Sequence, residues 1–148
     1  MPVVGVTKFE RFFREEGLDV DKNDLKQYSD VIGRKLRDLL DVGQAAAKQN
    51  QRDIIEPRDL PITHGLERSI REFRKLDEQL ELSPILDDLA GRPPLEFALA
   101  DATESRLPAI VGGLSVALAK TIKIVDPAAK IPHREQWERA FRIFDTVL

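Results

Sequence analysis

The stretch Arg52-Asp53-Ile54-Ile55-Glu56-Pro57-Arg58-Asp59-Leu60 decides the fold. Ile54-Ile55 is a short β-favouring step between two helical patterns. Pro57 suits a first helical turn, where its missing N–H costs nothing, and Asp59 suits the positive end of a helix dipole. The second half carries a partial copy. Ile131-Pro132-His133-Arg134-Glu135 again reads Ile, two variable residues, Arg and an acid, matching Ile55 to Asp59. An internal duplication of this kind organises everything around it.

Upstream, a long helix is expected from Asn23 or Asp24 to about Gln49. Leu25, Tyr28, Val31, Ile32, Leu36, Leu39, Leu40, Val42, Ala46 and Ala47 mostly step by three or four. Gly33 and Gly43 in this run are candidates for close helix approach. A helix of this length, roughly 40 Å, needs a second layer to cover both its ends. Before it, Thr7 to Gly17 reads as a short helix. Phe9, Phe12 and Phe13 form one face, Thr7 and Glu10 have capping-box spacing, and Gly17 is the natural stop.

Downstream, Leu66, Ile70, Phe73, Leu76 and Leu80 place a helix over about 56–80, with Pro61 as a kink or split. The plan then repeats. Ser83 to Leu89 is a short helix with Pro84 in its first turn, and Gly91-Arg92-Pro93-Pro94 breaks it. A second long helix starts near 95 or 102 and ends at Val125. Its buried face holds Leu107, Ile110, Val111, Leu114, Leu118, Ile122 and Val125. Lys130-Ile131 is the second extended step. Pro132 to about Val147 is a last amphipathic helix with Trp137, Phe141, Phe144 and Val147.

Composition agrees with a packed globular chain. Of 148 residues, 42% are apolar and 33% charged, with a formal net charge of -3. Disorder usually needs less apolar content and more imbalance. A dedicated phosphate binder carries a basic footprint, which this chain lacks. By formal side-chain charge, residues 1–75 are about +1 and residues 76–148 about -4, so an anion-binding surface is expected on the N-terminal half. There is no cysteine, which removes disulfides and thiolate ligands. Met1 to Thr7 does not read as a signal peptide, and no membrane span is expected, which makes the cytoplasm the expected location. Few Asn, one Met and many Arg and Glu would suit a thermophile.

The order short helix, long helix, extended dipeptide, helix, given twice, resembles the histone fold. Arg52 to Leu60 is similar to the second loop of archaeal histones, and Lys8 to Gly17 to their first helix. The likeness covers roughly residues 7–70; the second half matches by pattern. The whole resembles the bacterial histone-fold doublets. The resemblance implies an all-α protein of tandem histone folds forming an intramolecular pseudo-dimer. It would be one compact domain, 1–148, built of repeats at about 1–80 and 81–148. It also implies a structural clamp between Arg52 and Asp59, a pairing that suits a bidentate guanidinium–carboxylate contact. The second half has Ala128 where the first has Arg52. Tethering would raise the effective concentration of the two folds to about millimolar or more.

Histones grip duplex DNA with Arg in the minor groove and with helix ends and loop amides on phosphates. By the resemblance, the candidate DNA contacts are Arg11, with Lys8, Arg14 and Lys22. Other contact positions are changed. Val20-Asp21 replaces the basic residue of the first loop, Asp53-Ile54 replaces a Lys-Thr pair, and the second half offers only Lys130. Arg34, Lys35 and Arg37, flanked by Asp30, Asp38 and Asp41, read as a solvated helix face.

For catalysis the chain offers little. His64 has Glu67 at i+3, and His133 has Glu135 and Glu138 nearby, but neither forms a recognised metal motif. Gly112-Gly113 sits inside a helical pattern and reads as a packing device. Trp137 reads as core. We therefore expect no enzyme, no cofactor and no metal. The expected function is a non-catalytic interaction or scaffold module with a protein partner or a second copy of itself, the exposed side of 66–80 with Leu76 and Leu80 serving association. The alternative is weak, sequence-independent, salt-sensitive DNA binding of nucleoid type. A third reading is a metal or small-molecule binder centred on the two histidines.

Overall fold

The structure, a computed structural model, describes residues 3–80 and 97–148. The chain is mostly helical with one small sheet. Helix α1 spans Val3–Glu15 and α2 Lys22–Gln49; β1 is Ile54–Ile55; a 3-10 turn covers Pro57–Asp59; α3 is His64–Leu80. Then follow β2, Ala98–Leu99, the one-turn helix α4, Asp101–Glu104, the long α5, Leu107–Val125, and α6, Arg134–Val147. The expected helix at Ser83 to Leu89 lies outside the described residues.

Capping chemistry sets most boundaries. Asp21 caps α2, its carboxylate accepting from the amides of Asn23 (2.8 Å) and Asp24 (3.1 Å). Asp24 returns the contact by accepting from the Asp21 amide at 3.0 Å, a full capping box. Gly17 has φ +85°, a left-handed conformation that Gly adopts without strain. The Leu18 amide donates to Phe13 O at 2.8 Å and that of Gly17 to Arg14 O at 3.0 Å, a Schellman stop. Thr7, expected as the cap of the first helix, falls inside it, because α1 begins at Val3. Pro61 splits the segment expected at 56–80. The chain makes a 3-10 turn, passes through Leu60–Thr63, and restarts with the Thr63 hydroxyl accepting from the Leu66 amide at 3.1 Å. The second long helix is broken too. Residues 105 and 106 separate α4 from α5, and Pro108 occupies the first turn of α5.

Each long helix is covered by the last helix of the other half. The most extensive contact is between α3 and α5. It closes at Gly112 and Gly113. A Cβ on Gly112 would stand 2.3 Å from the Phe73 ring, and one on Gly113 would stand 2.4 Å from Ile70 Cγ1 and 3.0 Å from its backbone. The packing role read for the pair holds. Reciprocally, α6 packs on α2 as well as on α5. Trp137, fully buried, donates its indole N–H to Asp24 at 3.0 Å and meets Phe13 edge-on. At the centre the Tyr28 hydroxyl of α2 meets Ser115 of α5. Ser115 already donates to Val111 O at 2.7 Å, so Tyr28 is the donor. Burial pushes the Tyr28 hydroxyl up to about 12, keeping it neutral.

The loops are exchanged in the same way. β1 pairs in parallel with β2, Ile54 opposite Ala98 and Ile55 opposite Leu99. Ile55 O accepts both from the Ala100 amide (3.0 Å) and from the Thr103 hydroxyl (2.7 Å). On the opposite side the Asp19 amide donates to Lys130 O at 2.6 Å.

Several positions depart from the periodicity. Val42, Val125 and Val147, read as buried, are exposed, and Ile131 is 60% exposed whereas its repeat partner Ile55 is fully buried. Lys35, read as part of a solvated face, is only 4% exposed; its ammonium lies 3.2 Å from Asp38 and 3.7 Å from Asp145 of α6. Asp101–Val125 is long and apolar enough by composition to cross a bilayer, contrary to the sequence reading. In this structure most of α5 is instead packed on neighbours, with Val111, Leu114 and Leu118 fully buried.

The three glycines of the long helices separate backbone cost from packing. Gly113→Ala is expected to destabilise by about 3 kcal/mol, the upper end for overpacking, because Ile70 backbone stands in the way. Gly33→Ala, where a Cβ meets nothing within 4 Å, is expected to stabilise by about 0.5–1 kcal/mol. Urea titration of both variants checks the opposite signs.

Candidate functional site

Two groups of residues were expected to matter, the clamp and the candidate DNA contacts. The clamp is formed. Arg52 follows the C-terminal end of α2, where Gln51 takes φ +58° and the Arg52 amide donates to Ala47 O at 2.9 Å. Its guanidinium donates from Nη1 to Asp59 Oδ2 (2.7 Å) and from Nη2 to Asp59 Oδ1 (2.6 Å). Nη1 also reaches Ile54 O at 3.2 Å, and the Glu56 amide donates to Asp59 Oδ2 at 2.8 Å. The Asp59 side chain is 3% exposed and that of Arg52 21%. One ion pair thus holds both ends of β1 and the 3-10 turn. The Arg52 hydrogen bonds hold the Asp59 carboxyl down at about 2, with the Glu56 amide assisting against burial.

The second half fastens its loop differently. Lys123 donates to Ala129 O (2.8 Å) and Pro127 O (3.3 Å), and Gln136 donates to Asp126 at 3.3 Å. Glu135, the repeat partner of Asp59, sits on the surface and accepts from Arg139 at 2.7 Å.

Lys8, Arg11 and Arg14 recur every third residue on α1, within a sector of about 120°. Arg11 and Arg14 are exposed and Lys8 half-buried; Arg14 lies 3.9 Å from Asp19. Lys22 opens α2 beyond the Gly17 turn, immediately after the capping Asp21. The four basic residues are thus interleaved with Glu10, Glu15, Asp19 and Asp21, which leaves no concentrated positive field. The capping role of Asp21 was missed in the sequence, though the Asp21–Asp24 spacing carries the signal.

The histidines do not gather ligands. His64 is exposed at the start of α3, and its neighbour Glu67 accepts from Arg71 at 2.9 Å. His133 precedes α6, its amide donating to Gln136 at 2.6 Å, and Glu138 accepts from Arg134 at 3.0 Å. Among the described residues no three His, Asp or Glu side chains are grouped as a metal site requires.

The family model described as "Domain of unknown function (DUF1931)" matches residues 9–145. The chain belongs to the DUF1931 family. Membership covers both halves, including the clamp, the Gly112–Gly113 crossing and α6. A protein of Aquifex aeolicus (strain VF5) described as uncharacterized is 31% identical over 145 residues, 97% of this chain and 84% of its own. A second from the same strain is 32% identical over 135 residues, 82% of this chain and 79% of its own. Among solved DUF1931-like structures, one from Thermus thermophilus is 49% identical with a TM-score of 0.86, covering 97% of both chains. Another, from Aquifex aeolicus, is 28% identical with the same TM-score of 0.86, covering 97% of this chain and 95% of that one.

The clamp makes a pH prediction. Asp59 has a folded-state value of about 2 against an ordinary 3.8, so its contribution is complete above the ordinary value. It is lost as pH falls from about 4 towards 2. Asp59→Asn should cost about 2 kcal/mol at neutral pH, less than for a fully buried pair because Arg52 stays partly solvated, and should flatten the stability profile over that acid window. Chemical denaturation at a series of pH values measures both effects.

Proposed function

We propose that the chain is a non-catalytic interaction module, built as two tandem histone folds that form an intramolecular pseudo-dimer. The observation that carries this reading is the exchange of loops. The second loop of the first half, β1, pairs with the loop before the long helix of the second half, β2. The loop before α2 bonds back to Lys130 in the second loop of the second half. Two halves related in this way satisfy each other's backbone groups, as separate histone-fold chains do in pairing.

The partner is protein, and the surface that suits it lies at the ends of α5 and α6. Leu76, expected to serve association, is half-buried against the core instead. Ile124 is 78% exposed and Val147 65%, with Val125 and Ile143 beside them. Val125, Ile143 and Val147 line a shallow groove of about 390 Å³ with Arg139 and Arg142. Exposed apolar groups gathered at one place suit docking, and a second copy of the chain is the simplest occupant.

The second reading, weak DNA binding, rests on Arg11, which is exposed and has no ion pair among the described residues. Against it stand the acids around that helix and the exposed Asp53 and Ile54 at the other loop. Sedimentation velocity over a concentration series should show reversible association, weakened about tenfold or more by Val147→Asp. Mobility-shift titrations of duplex DNA at two salt concentrations should show no complex at physiological salt. A tight, salt-dependent complex from a strictly monomeric protein would reverse the order of the two readings.

A further inference from the structure

A cleft away from these surfaces lies between α3 and the start of α5. It encloses about 420 Å³ and is lined by Pro57, Leu60, Ile62, Ile70, Ala109 and Ile110 below, with Glu67, Arg71, Arg74 and Arg106 around them. That volume falls within the roughly 300–1,000 Å³ of small-molecule sites. Glu67, Ile70, Arg71 and Arg74 follow one another at i, i+3, i+4 and i+7, so a single face of α3 forms one wall. Arg106, immediately before α5, approaches from the other side.

The charge here is unbalanced in a chain that is acidic overall. Glu67 is the single carboxylate of the lining, and it is engaged by Arg71 at 2.9 Å. Arg74 and Arg106 form no ion pair among the described residues. Most other exposed arginines near an acid are paired with it, as Arg134 is with Glu138 and Arg139 with Glu135. Three guanidiniums and one carboxylate leave two positive charges over at one mouth. Guanidinium forks suit carboxylate and phosphate oxygens, and a floor of aliphatic side chains suits a ligand with an apolar body.

The geometry points to a binding site for a small organic dianion, its charged end held by Arg74 and Arg106 and its apolar part against Ile70, Ala109 and Ile110. The floor is set by the same α3–α5 crossing that builds the fold, so the site is preformed. It is independent of the protein-docking face at the ends of α5 and α6.

Isothermal titration with phenyl phosphate tests this, with inorganic phosphate as the anion lacking an apolar body. The expected result is one-to-one binding of phenyl phosphate with Kd below about 1 mM, weaker for inorganic phosphate by about tenfold. Arg74→Ala and Arg106→Ala should each weaken phenyl phosphate by about tenfold, and Glu67→Gln should tighten it by roughly threefold. All three side chains are exposed, so the variants are expected to fold, which circular dichroism verifies. Arg37→Ala, on the exposed face of α2, should change nothing. Absence of binding, equal affinity for the two phosphates, or equal losses in the Arg37 and Arg74 variants would overturn the proposal.

Discussion

The structure depends on hiding α5. Over most of its length this helix presents apolar or small side chains in every direction, and Leu107, Val111, Leu114, Val116, Leu118 and Ala119 are all buried. One neighbour covers only one face of a helix. Here α3 arrives from the first half and closes to glycine distance at Gly112 and Gly113, while α6 from the second half and α2 take other faces. With roughly 2 kcal/mol for each fully buried aliphatic side chain, α5 contributes more apolar burial than its length suggests, but only when all three neighbours are in place. The same crossing aligns α3 so that its arginine face meets the start of α5, and the cleft follows from it.

The first helix of the pair is handled differently. At about 42 Å, α2 has one apolar stripe and a polar back. Its start is fixed by the Asp21–Asp24 box, and Asp24 spends its second oxygen on Trp137 of α6. Farther along, Lys35 meets Asp145 of α6. Polar contacts therefore set the register between α2 and α6, whereas shape sets it between α3 and α5. The clamp adds a third fixed point, because Arg52 ties the end of α2 to the turn that aims the chain at α3.

Legibility in the sequence followed the range of each interaction. The long helices, the Gly17 stop and the packing role of Gly112-Gly113 depend on neighbours within a few turns, and periodicity carries them. The Arg52–Asp59 pair was visible through its spacing and its likeness to histone loops. The boundaries at Val3 and at Pro61–Thr63 were misplaced, because Thr7 and Pro57 each offer a plausible start that the packed chain does not use. The pairing of Ile54–Ile55 with Ala98–Leu99 was out of reach: two dipeptides carry no register, and a parallel pair joins segments far apart in sequence. Lys35 and the Arg-lined cleft were missed for the same reason. Their partners come from α6 and α5, which local charge patterns cannot name.

If each half hides the other's long helix, neither half can unfold alone. Trp137, the single tryptophan, reports the α2–α6 side, while far-UV circular dichroism reports all helices. Phe73→Ala removes the ring that seats Gly112 on the α3–α5 side, remote from Trp137 in the chain. Equilibrium urea unfolding of the wild type and of this variant, followed by both signals, tests the claim most directly. The account predicts one transition with coincident midpoints, displaced equally in both signals by the substitution, with a cost of about 3–5 kcal/mol. A fluorescence midpoint that stays in place while the circular dichroism midpoint moves would contradict it.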